Sequence, residues 1–155
     1  MDISLFFAPV DEHIVESFEY DNRHVVNSIS VNIDGKIDWK SSDIVFFTVG
    51  VDDPHSFREV FYNLKQGGAQ YSVADLGHLN EGKTDEDTRE RLTEVCDSLL
   101  QEEKIVIVIG TLKDFDYALF SGYYYLSRAV TFLNVDSHLD LGEYDDNSGL
   151  EKVIR

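Results

Sequence analysis

The sequence predicts an α/β fold of three layers, with helices on both faces of a mainly parallel sheet. Three observations carry that expectation. Ile44-Val45-Phe46-Phe47-Thr48-Val49 and Ile105-Val106-Ile107-Val108-Ile109 are continuous apolar, β-branched runs, the mark of strands covered on both faces. Between and behind them lie segments whose apolar residues repeat at helical spacing. Strands that alternate with helices pair in parallel through right-handed crossovers. At 155 residues the chain has the length of one such domain.

The first forty residues are the least regular. Ile3-Ser4-Leu5-Phe6-Phe7 reads as a short strand, and Asp34-Gly35, between two short alternating runs, as a two-residue hairpin turn. Residues 1–42 are therefore expected to form an N-terminal extension, and residues 43–155 the main domain. After the strand at 44–49, Asp53 is placed to cap a helix and Pro54 suits its first position. Phe57, Val60, Phe61 and Leu64 give that helix its stripe, and Gly67-Gly68 is expected to stop it. A strand at 71–75 and a polar loop at 77–83 follow. Thr84 with Asp87 resembles a capping box, and Leu92, Val95, Cys96, Leu99 and Leu100 form the clearest helical stripe in the chain. The strand at 105–109 ends at Gly110. A helix at 114–127 then buries Phe115, Ala118, Leu119, Gly122 and Leu126, and a last strand at 130–135 runs into Asp136.

Composition narrows the partners. Thirty acidic residues against thirteen basic ones leave a formal charge of −17. Such a chain repels nucleic-acid backbones and anionic membranes, and favours cations. The single cysteine, Cys96, leaves no internal disulfide framework and no cysteine-based zinc cluster. It falls on the apolar stripe and reads as a core thiol. No basic leader or membrane-length apolar run is visible, so the expected compartment is the cytoplasm.

In sheets of this kind function gathers at the carboxyl ends of the strands. That nominates the segments 50–53, 75–78, 110–114 and 136–140. The last is the most informative. Asp136, His138 and Asp140 fall at alternate positions directly after a strand, so an extended backbone points all three the same way. Two carboxylates and an imidazole suit a divalent metal such as manganese. Read without function, Asp136 caps or turns the chain and the other two are solvated.

Asp136-Ser137-His138-Leu139-Asp140 resembles the Asp-Ala-His-x-Asp metal motif of the ureohydrolases, the family of arginase, agmatinase and formimidoylglutamase. The run 105–110 with Thr111-Leu112-Lys113-Asp114 stands in the place of that family's strand and Gly-Gly-Asp-His turn. Val73-Ala74-Asp75-Leu76-Gly77 is similar to its Asp-x-Gly. The resemblance covers residues 43–155 and is nearest to divergent formimidoylglutamase-like members, in their N-terminal portion. It implies an arginase-like fold, here incomplete, because the family's later Asp-x-Asp pair has no counterpart in order. It also implies that Asp136 bridges two manganese ions while Asp140 binds the first and His138 the second. The implied reaction is metal-dependent hydrolysis of a carbon–nitrogen bond in a linear amidine or guanidino compound.

Lys113 departs from the pattern. It aligns with a histidine that ligates the first metal, and a protonated amine has no lone pair to offer. The ammonium would instead replace the metal's charge beside Asp136 and Asp140. Impaired catalysis is the consequence, with manganese weakly held or absent. The alternative reading is a non-catalytic binding or assembly domain that keeps the fold without metals. Homo-oligomers are expected if the sheet leaves an apolar edge open. His13, His24, His55 and His78 lack metal-ligand spacing to one another; His78, at a strand end, comes nearest to a ligand. Asp52-Asp53 is similar to the acidic pocket of receiver domains, but helix capping accounts for Asp53 more simply.

Overall fold

The computed structural model describes residues 2–18, 23–68, 71–111, 115–126, 131 and 133. Within them the chain forms β1 (Phe7–Ala8), α1 (Glu12–Glu16), β2 (Ile29–Val31), β3 (Ile44–Val49), α2 (Pro54–Tyr62), β4 (Val73–Leu79), α3 (Asp85–Gln101), β5 (Ile105–Gly110) and α4 (Phe115–Tyr125). Strand β3 lies at the centre. It pairs in parallel with β4 on one side and with β5 on the other, in registers that match Ile44 to Val73 and to Ile105.

Side-chain alternation sorts the two faces. Val45, Phe47 and Val49 of β3, with Ala74, Leu76 and Leu79 of β4, meet Leu92, Val95, Cys96 and Leu99 of α3 and Ala118 of α4. Phe46 faces the other way, into a cluster with Tyr62, Phe57 and Phe61 of α2 and Val10 and Val26 from the N-terminal region. Helices thus cover both faces, and the expected three-layer α/β/α arrangement is the one observed. Helix α3 is built as its sequence predicts. The Thr84 hydroxyl accepts from the Asp87 amide, the Asp87 carboxylate accepts from the Thr84 amide, and the whole apolar stripe is buried.

The N-terminal region departs from its expected elements. Residues Ile3–Phe6 form a 3₁₀ turn, because the Asp2 carboxylate accepts from the Ser4 amide at 3.1 Å; only Phe7 and Ala8 are extended. The turn at Asp34-Gly35 exists, with Gly35 at φ +79°, yet it joins no hairpin. Strand β2 gives its hydrogen bonds to β4 instead, in parallel, and Trp39 is drawn into the core before a second arm can form. Strands β1 and β2 therefore share the outer edge of β4, β1 antiparallel at residues 78–79 and β2 parallel at 73–75. Asn32 ties the end of β2 down. Its amide donates to the Asp75 carbonyl at 3.0 Å and its side-chain amide to the Leu76 carbonyl at 2.8 Å.

Helix α2 stops at Tyr62, before the glycines. The Val25 amide donates to the Leu64 carbonyl and the Gln66 amide to the Arg23 carbonyl, so the chain beyond the helix is claimed by an antiparallel bridge. Val60 and Leu64, two members of the expected stripe, are exposed. Strand β4 runs on to Leu79, past the expected end at residue 75, through a bulge at Gly77. The strand expected at 130–135 lies outside the described residues except for Thr131 and Leu133.

Candidate functional site

The bulge is the device that builds the site. Phe46 pairs with Asp75, but Thr48 pairs with His78, so β4 spends three residues where β3 spends two. Gly77 absorbs the extra residue at φ +96°, and a Cβ there would stand 2.2 Å from the Ala8 carbonyl oxygen. The bulge returns His78 to the same face as Asp75, toward Thr48 and α2. Simple alternation would have sent it to the opposite face.

On that face lies a buried polar cluster. Arg58 of α2 and Asp75 of β4 are almost fully removed from solvent and form a two-pronged ion pair, Nε to Oδ2 at 2.7 Å and Nη2 to Oδ1 at 2.7 Å. The Tyr62 hydroxyl donates to Oδ2 at 2.6 Å, and the Gly77 amide to Oδ1 at 2.8 Å. Each carboxylate oxygen of Asp75 thus accepts two hydrogen bonds, which leaves no lone pair for a metal. Arg58 also donates to the carbonyls of Gly77 and Pro54 and, at 3.3 Å, to the Thr48 hydroxyl. Burial pulls the guanidinium's pKa down, and the hydrogen bonds and charge of Asp75 more than offset it, for a net rise. Burial pushes the Tyr62 phenol far up, and the neighbouring Asp75 adds to that. The phenol is a permanent donor. Chemically the cluster locks α2 onto the carboxyl half of β4; it offers neither a nucleophile nor an open ligand.

His78 sits at its margin with 22% of its side chain exposed. Its Nδ1 lies 3.0 Å from the Thr48 hydroxyl, and its Nε2 lies 3.9 Å from a Glu81 oxygen. Burial lowers its pKa against the opposing charge of Glu81, and Arg58 and His55 lower it further. The other candidates are ordinary. His13 is exposed beside Glu16, and His55 is exposed in the first turn of α2. Asp53 caps α2 by accepting from the His55 and Ser56 amides. Cys96 is buried, and burial pushes its thiol up to about 12, so it is the inert core thiol expected.

The rim beyond β3 and β5 is also tied. The Thr111 hydroxyl donates to the Gly50 carbonyl, which brings the segment that leads toward Lys113 alongside the end of β3. Lys113, Asp136, His138 and Asp140 themselves lie outside the described residues. Among the described residues, no group of three or more His, Cys, Asp or Glu side chains is placed to hold a metal. Sequence reasoning missed Arg58 and Tyr62 altogether. The available signal was their i, i+4 spacing beside Phe57 and Phe61, with an aspartate waiting in the next strand.

A family model described as the arginase family matches residues 50–152, well over half of the chain. The chain belongs to the arginase family. The match begins just past β3 and takes in α2, β4, α3, β5, α4 and the Asp136-Ser137-His138-Leu139-Asp140 segment. A solved structure described as "a putative agmatinase from Clostridium difficile" shares the arginase-like fold, with a TM-score of 0.61 at 20% identity. The alignment covers 72% of this chain and 48% of that one, so the chain spans about half the length of that relative. No curated protein matches the chain.

Proposed function

We propose that this arginase-family chain carries part of a ureohydrolase centre of formimidoylglutamase-like type, with metal-dependent hydrolysis of a linear amidine or guanidino carbon–nitrogen bond impaired in the chain by itself. The observation that carries the reading is the family match across β5, α4 and the 136–140 motif, set on a parallel sheet whose carboxyl rim is drawn together by Thr111 and Gly50. Asp136, His138 and Asp140 would hold manganese, since carboxylate and imidazole donors suit it. Bound there, the metal would supply Lewis acidity and lower the pKa of water. Lys113 would stand where a further ligand is needed and contribute charge alone. In this reading residues 1–42 are an addition to the family domain at 43–155, one whose strands extend the sheet along β4.

A second reading, a binding or assembly domain that has kept the fold without metals, is favoured by two features. Lys113 has no lone pair to give, and Asp75, the aspartate on the described rim of β4, has every acceptor site filled by its own chain. Exposed Ile105 and Ile107 on β5, the outermost strand of the described sheet, support self-association. A cytoplasmic setting is supported by the free buried thiol, and no helix among the described residues is long and apolar enough to cross a membrane.

Manganese titration by calorimetry separates the two readings. Saturable binding that His138→Ala abolishes is the expected result for a retained metal site. Absence of binding, or binding indifferent to that substitution, selects the non-catalytic domain.

A further inference from the structure

The Arg58, Thr48 and His78 contacts form a directional chain. A guanidinium only donates, so at 3.3 Å the Thr48 hydroxyl accepts from Arg58 Nη1. That hydroxyl has one hydrogen of its own, and His78 Nδ1, 3.0 Å away, is the acceptor placed for it among the described residues. With Nδ1 as that acceptor, the neutral ring carries its hydrogen on Nε2, on the side of Glu81.

We propose that Arg58, Thr48 and His78 form a proton-sensitive latch across the β3–β4 bulge, closed only by the neutral imidazole with its hydrogen on Nε2. The proposal stands on described residues and is independent of the metal reading. Protonation of Nδ1 turns an acceptor into a donor, leaves the Thr48 hydrogen without its partner and sets an imidazolium against Arg58. The ring is then drawn toward Glu81. The backbone of His78 is also the partner of Ala8, so an open latch loosens the β1 pairing on the other edge of β4.

The charged and titratable groups facing His78 come from three directions: Arg58 and His55 of α2, Glu81 in the loop after β4, and Asp75 within β4. Glu81 alone of the first three favours the charged ring. The unfolded chain titrates near the ordinary value of 6.5 and the folded ring below it. In that interval the unfolded state holds more protons, so the latch contributes fully above 6.5 and is lost as pH falls through the folded value.

The test is long-range ¹H–¹⁵N NMR of the full chain, titrated between about pH 8 and pH 5, where histidine charge changes. Each histidine ring is assigned in the unmodified chain by through-bond correlation to its own backbone. The expected result is an Nε2–H tautomer for His78, a midpoint below 6.5, and several-fold faster amide exchange at Ala8 and Asn80 once the ring is charged. Thr48→Val should raise the midpoint and mix the tautomers, and Thr48→Ser should restore both. An Nδ1–H tautomer in the unmodified chain, a midpoint at or above 6.5, or exchange indifferent to the titration overturns the latch, and none of these readouts depends on a variant folding.

Discussion

Arg58 is the residue whose setting decides most. A guanidinium removed from water costs several kcal/mol, and only a partner with matching geometry offsets that. Asp75 supplies the match through two parallel bonds, and Tyr62 and the Gly77 amide fill the remaining acceptor sites. Removal of one member should therefore cost far more than the pair contributes net. Arg58→Ala strands a buried carboxylate and is expected to destabilise the chain by about 3–5 kcal/mol. Tyr62→Phe removes one hydrogen bond to a charged acceptor and should cost about 1.5–3 kcal/mol. Urea denaturation checks both, and equal losses would refute this division of roles. These residues were not legible beforehand, because a cation inside an apolar stripe reads as a surface position until its counter-charge is located. That counter-charge, Asp75, was singled out for its sequence resemblance, but its partner was not.

At the scale of elements, agreement follows from whether the controlling interaction is local. Thr84, Asp87 and the α3 stripe lie within a few turns of one another, and that helix forms as its sequence dictates. Strand β3 is buried as its hydrophobicity predicts, whereas β5, expected to be covered on both faces, leaves Ile105 and Ile107 exposed among the described residues; the boundaries of both agree with the apolar runs. Helix α2 and strand β4 end elsewhere than expected because distant segments decide them, the 23–25 bridge for α2 and the β1 pairing for β4. Gly77 is the hinge of the second case. Gly77→Ala forces a side chain into φ +96° and into the Ala8 carbonyl, so β1 must leave the sheet. The expected loss is about 1–3 kcal/mol for the backbone strain alone. Hydrogen exchange should show the Asn80 amide, which donates to the Phe6 carbonyl, deprotected, and retained protection there would count against the bulge as drawn.

For the whole molecule, charge and exposed surface set behaviour in solution. A formal charge of −17 opposes close approach of copies at low salt, while Ile105 and Ile107, 54% and 45% exposed on β5, favour it. Self-association should therefore strengthen as salt is added. Sedimentation velocity at rising ionic strength is expected to show dimers or larger species, and Ile107→Lys should return the chain to monomer. A monomer at every salt concentration removes the homo-oligomer from the proposal. The family fold itself was readable in advance, from strand runs, helix periodicity and one five-residue motif, since each is a pattern along the chain.

What the sequence determined by itself is the architecture: which described runs become strands, which face of α3 points inward, and the family to which the chain belongs. These follow from hydrophobic periodicity and from spacing, which act between near neighbours. What only the tertiary structure decided is the partnership across the sheet. Arg58 finds Asp75 seventeen positions away, Thr48 finds His78 thirty positions away, and a bulge at Gly77 decides which face His78 occupies. Pairing and burial at such separations depend on register between strands, and register is a property of the folded sheet as a whole.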